Sequence, residues 1–229
     1  MTTQPSGESP RTGRLLFGSA CWITTFVLYV VAVRTASGRL VDDAMFQRLR
    51  EDLAARTWIP DGTILARAQL ALLVIGAGVV CATCLVNRST PRTTTTALSL
   101  ACAPGIVADI LKGALTRTSS PGEFAAHNSF PSGTVAAFAG LSAALAYLAS
   151  SRLQQLTTLA SWAATGLVSL IVIRAHWHRP SDVLGALLIA GGAWSIASGL
   201  FAPRRHTDVR PSVPDASLSC RTPDTVARR

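Results

Sequence analysis

The chain has 229 residues, of which 49% are hydrophobic and 14% charged, and its mean hydropathy is +0.37. That balance excludes an ordinary water-soluble domain of this length and makes a membrane protein the default class. The formal net charge is +9, yet the basic residues fall in short clusters between apolar runs, which points to membrane orientation more than to nucleic-acid binding.

Along the chain, residues 1–13 are Pro-, Ser- and Arg-rich and are expected to be a disordered tail on the cytoplasmic side. The apolar run over residues 15–33 is long enough to cross a bilayer. It lacks a small-residue cleavage site at its end, so it reads as a retained helix rather than a signal peptide. The loop 34–67 carries WIPDG and an amphipathic segment, FQRLREDLAARTW, which either lies on the membrane surface or is an ordinary solvated helix. Clear spans follow over residues 68–86 and 183–201, with weaker ones over 97–111, 133–149 and 156–173. The weaker spans are rich in Ala, Gly, Ser and Thr, as helix-packing interfaces in membranes tend to be. The expectation is an all-α bundle of six transmembrane helices over residues 14–202, with a disordered basic tail over 203–229.

Six spans put both termini on one side. Arg11, Arg14, Arg88, Arg92, Arg152, Arg204 and Arg205 share that side, which is cytoplasmic if short basic loops stay inside. Arg34, Arg39, Arg48, Arg50 and Arg56 lie in the long first loop on the other side, where loop charge has little say in orientation.

Five cysteines are present, and Cys81 and Cys84 form a CxxC inside the apolar run VIGAGVVCATCLV. With no second Cys or His pair at ligand spacing, these read as small buried thiols, and no metal or other cofactor is expected. The basic residues are 20 arginines and one lysine, Lys112.

Three polar segments fall on the outer side at span ends: DILKGALTR (109–117), AHNSFPSGT (126–134) and RAHWHRPSD (174–182). Ionisable groups at membrane depth are costly and suggest function. In the third, His178 and Asp182 are four apart and Pro180 suits the first turn of the last helix. The carboxylate can therefore fix one imidazole nitrogen and leave the other as nucleophile or base. Alternatively, Asp182 only caps the helix. In the second, Pro131-Ser132-Gly133 opens a helix, whose free N–H groups, with the Ser132 hydroxyl, suit an oxyanion. A plain Ser N-cap is the alternative. In the first, Lys112 and Arg117 are cations able to clamp phosphate oxygens, unless Lys112 simply pairs with Asp109.

With these motifs in this order, the chain resembles the type 2 phosphatidic acid phosphatase superfamily, six-helix membrane enzymes related in their core to vanadium haloperoxidases. The family's motifs are KxxxxxxRP, PSGH and SRxxxxxHxxxD, and the resemblance spans roughly residues 68–201. It implies that His178 takes up the phosphoryl group, that Asp182 orients it, and that Lys112, Ser132 and Gly133 bind phosphate without a metal. It further implies a lipid phosphate or prenyl diphosphate as substrate, a phosphohistidine intermediate, and a site on the outer face of the plasma membrane. The apolar spans weigh against a soluble haloperoxidase.

Three departures mark a divergent member. Ser119 stands where the first motif has arginine, leaving Arg117 as the available substitute. Val172 stands at the third-motif arginine, with Arg174 two residues away. Thr134 replaces the second-motif histidine, the family's general acid, for which His127 and His176 are the nearest substitutes. Either another group supplies the proton, or the leaving group is a phosphate ester that needs little protonation, or the protein keeps a lipid-phosphate pocket without turnover.

Overall fold

The structure is a computed structural model, and it describes residues 10–60, 62–116, 128–149 and 154–201. Of the expected tails over 1–13 and 203–229, residues 1–9 and all of 203–229 lie outside the described residues, as do Arg117, His127, Arg152 and Cys220, whereas residues 10–13 form the start of the first helix. The described chain is helical: α1 (Pro10–Leu28) continues as a π-helical stretch (Tyr29–Arg34), and is followed by α2 (Ala36–Ala54), α3 (Gly62–Val86), α4 (Pro91–Ala114), α5 (Gly133–Leu148), α6 (Gln154–Arg174) and α7 (Pro180–Phe201).

Five helices are long and apolar enough to cross a membrane: Arg11–Arg34, Gly62–Val86, Pro91–Ala114, Gln155–Arg174 and Pro180–Phe201. The α3 span combines a mean hydropathy of 2.3 with only 11% of its window buried, so its apolar surface needs lipid to cover it. These helices are consistent with an integral membrane protein.

Among the described residues the six expected spans are five long helices and one shorter apolar one, α5, of 16 residues. At about 1.5 Å per residue α5 is about 24 Å long, less than the roughly 30 Å hydrocarbon core. Its place in the bundle accommodates this, because α5 packs against α3, α4, α6 and α7 and buries most of its length. Small residues permit that central position. A Cβ at Gly140 would stand 2.7 Å from the carbonyl oxygen of Leu100, so α4 and α5 touch backbone to backbone. Gly192 plays the same part between α7 and α1, where Trp22 lies against it.

Polar bonds gather at the two ends of the bundle. At one end Arg14 donates to the carbonyl of Ser198 (3.1 Å), and Arg92 donates to that of Leu200 (3.1 Å) while its guanidinium lies over the Phe201 ring (5.2 Å). At the other, Tyr29 Oη donates to the Thr116 carbonyl (2.7 Å) and Arg34 to Thr116 Oγ1 (2.7 Å).

The loop 34–67 is helical over much of its length. Its helix α2 packs on the π-helical stretch, α6 and α7, and buries Asp42, Phe46 and Leu53. Phe46 and Leu53 join the core formed by α5, α6 and α7, so one face of the segment packs on the bundle while Leu40, Val41 and Met45 stay exposed. The CxxC pair divides: Cys84 is buried, whereas Cys81 is exposed on α3, and Cys102 is exposed on α4.

Candidate active site

The third segment is built by two helix ends. α6 stops in a Schellman turn: the Trp177 N–H reaches the Val172 carbonyl (3.0 Å), the His176 N–H reaches that of Ile173 (3.1 Å), and His176 has a left-handed φ of 64°. Histidine tolerates that conformation better than most residues, which is why no glycine marks the stop. The His176 ring stands edge-on against Phe46 of α2 (6.0 Å, 80°).

The turn delivers His178 to the start of α7, where Pro180 is the first helical residue. His178 Nδ1 lies 3.6 Å from Asp182 Oδ2, just outside hydrogen-bond distance, with the imidazole 11% exposed and the carboxylate fully buried. The same oxygen accepts the Arg179 N–H (2.9 Å) and the Ser129 hydroxyl (2.7 Å). Asp182 is therefore a helix cap whose capping oxygen also stands close to His178.

The second segment meets the third directly. The Ser132 N–H donates to the Asp182 carbonyl (3.0 Å), and Ser132 Oγ caps α5 by accepting from the Val135 N–H (3.3 Å). Ser132 is wholly buried and its ordinary capping role is realised. Asn128 braces the turn, donating to the carbonyls of Phe130 (2.9 Å) and Leu115 (3.0 Å) and accepting from the Phe130 N–H (3.1 Å). Thr134 donates to Gln69 Oε1 of α3 (3.4 Å).

The first segment reaches the same place through Gly133. A Cβ there would meet Asp109 Oδ1 at 2.6 Å and Lys112 Nζ at 3.6 Å, so the charged end of α4 lies over the start of α5. Lys112 Nζ is 3.9 Å from Asp109 Oδ1, the pairing left open by the sequence. Three segments far apart in sequence are thus linked in one chain of contacts, from Lys112 through Gly133, Ser132 and Asp182 to His178. Arg174 points elsewhere, its Nη1 donating to the Arg56 carbonyl (3.3 Å).

Several neighbours escaped sequence reasoning. Ser129 and Asn128 precede the PSG turn, where only the known contact could reveal them. Asp42 and Asp43 of α2 grip the start of α7. Asp42 accepts the Ser181 N–H (3.1 Å) and hydroxyl (2.6 Å), and Asp43 pairs with Arg179. The available signal was Arg179 itself, an arginine between two candidate site residues, which needs a carboxylate once buried.

Among the described residues no group of three or more His, Cys, Asp or Glu could hold a metal ion. His178 thus stands at the start of α7, and Lys112 at the start of α5, in a setting of helix N-termini whose N–H groups suit a phosphoryl group. Neither the curated proteins nor the solved structures include a match to this chain. Residues 64–206, more than half the chain and the part that carries all three polar segments, match the profile described as PAP2 superfamily. With that match joined to apolar membrane-length helices and a histidine–aspartate pair at a phosphate-suited helix end, the chain belongs to the PAP2 superfamily, and it is a membrane phosphatase-like protein.

Proposed function

We propose that the protein is an integral membrane phosphatase that hydrolyses a lipid phosphate or prenyl diphosphate through a phosphohistidine intermediate, with its site on the outer face of the plasma membrane. The observation that carries this reading is the contact chain joining Lys112 and Gly133 to His178 and Asp182. With its proton held on Nδ1 toward Asp182, His178 has an Nε2 lone pair to attack phosphorus. An N–P bond forms as the bond to the leaving oxygen breaks. Water then attacks phosphorus, the N–P bond breaks, and phosphate leaves. Lys112 and the α5 N–H groups offset the charge on the phosphoryl oxygens.

Thr134 narrows the substrate. General acid help is worth about 10²–10⁴-fold, and threonine hydrogen-bonded to Gln69 supplies none. A diphosphate releases a phosphate ester, far less basic than the alkoxide of a monoester, so a diphosphate fits this site better.

The test is phosphate release without added metal from a prenyl diphosphate and from phosphatidate, by wild type, His178→Ala and Thr134→His. Wild type should turn over the diphosphate, and His178→Ala should lose at least about 10³-fold. Thr134→His should extend activity to the monoester. Equal rates in wild type and His178→Ala would sink the nucleophile assignment.

A second reading has its own support. Ser132 Oγ is used in capping, Lys112 pairs with Asp109, and Arg174 faces Arg56. A non-catalytic protein that keeps a lipid-phosphate-binding pocket would look the same, and it predicts activity only in Thr134→His.

A further inference from the structure

The start of α7 has a gap in its own capping. Its N-cap residue is Arg179, whose side chain carries no acceptor, and Pro180 offers no N–H. The first free donor is therefore the Ser181 N–H, and Asp42 of α2 takes it, placing the other carboxylate oxygen on the Ser181 hydroxyl. This is an N-cap supplied in trans by a helix 139 positions away in sequence. Its negative charge also suits the positive end of the α7 dipole. Next to it, Asp43 neutralises Arg179, which is 7% exposed.

Those two carboxylates grip every residue between His178 and Asp182 that has a hydrogen-bond donor. Only Arg179, Pro180 and Ser181 fill that interval, and proline has its φ fixed by its ring. Small rotations of this turn decide whether Asp182 Oδ2 closes from 3.6 Å to a hydrogen bond of about 2.8 Å with His178 Nδ1. Asp182 contributes one bond to this turn, from the Arg179 N–H, and the same oxygen also accepts from Ser129.

We propose that Asp42 and Asp43 are positioning residues for His178, holding the α7 start so that Asp182 fixes the imidazole tautomer with its proton on Nδ1. The kinetic half of this proposal rests on the phosphatase reading, whereas the tautomer half does not.

The test uses the full chain in detergent micelles with ¹⁵N-labelled histidine. The protein has four histidines, and the His178 signals are those missing from His178→Ala. Wild type should show a single tautomer protonated at Nδ1. Asp42→Asn and Asp43→Asn should each show mixed tautomers. Their rate of diphosphate turnover should fall about 10–100-fold in kcat with KM little changed, and Asp43→Glu should recover most of the loss. A wild-type tautomer and wild-type kcat in both folded Asn variants would overturn the proposal. Should they fail to fold, Ser181→Ala and Arg179→Lys loosen the same grip, and an unchanged tautomer in both would overturn it equally. If the wild type releases no phosphate, the phosphatase reading fails by itself and the tautomer signals still decide the positioning role.

Discussion

Asp182 Oδ2 is the most contested atom of the site, facing the Ser129 hydroxyl, the Arg179 N–H and His178 Nδ1 together. A buried carboxylate is tolerable only when donors satisfy it. Ser129 is the donor from outside α7, so it ties the PSG turn to the histidine's partner. Ser129→Ala should lower the unfolding free energy by about 1–3 kcal/mol, the range for losing a hydrogen bond to a charged group. It should also reduce diphosphate turnover by about 10-fold, through a less firmly held Asp182. Thermal melts and initial rates on one preparation check both, and unchanged rates with lowered stability would confine Ser129 to a structural part.

At the level of elements, α5 does two jobs that pull in one direction. Its N-terminus, at Gly133, meets Lys112 and Asp109, and its middle lies against the α4 backbone, which requires Gly140. Membrane helices pack through such close approaches because lipid offers no hydrophobic drive for them to separate or join. The contact also sets how far α4's charged end stands from the α5 N–H groups. Gly140→Val would press a branched side chain onto the Leu100 carbonyl, with stability expected to fall by about 1–3 kcal/mol. A thermal midpoint in detergent equal to wild type would show that the two helices slide apart freely.

Across the whole molecule, the polar ends of the bundle are segregated. α2, the end of α4 and the start of α7 meet at one end, and Arg14, Arg92 and the end of α7 at the other. We propose that the clustered basic residues orient the second end to the cytoplasm. Single cysteines at Arg48 and Asn87, both exposed positions on opposite ends, test this in a chain whose native cysteines are alanine. An impermeant maleimide should label Arg48→Cys in intact cells and Asn87→Cys only after permeabilisation. The reverse pattern would put the site in the cytoplasm.

The order of the three polar segments, the membrane class and the nearness of His178 to Asp182 were legible without coordinates, because each depends on local spacing or composition. Four-residue spacing on a helix start limits where a carboxylate can go, and long apolar runs leave a chain little choice but lipid. Other features depended on contacts between distant stretches. The shortness of α5 became tolerable only through its central burial, and the FQRLREDLAARTW segment took its place in the core by packing on α6 and α7. Asp42 and Asp43 gained a role only because α2 lies across the start of α7. Sequence thus determined which chemical groups stand at the bundle's ends, since that follows from hydropathy and short-range periodicity. Tertiary structure decided which of them touch, since a hydrogen bond or ion pair depends on separations of a few tenths of an ångström that no spacing along the chain encodes.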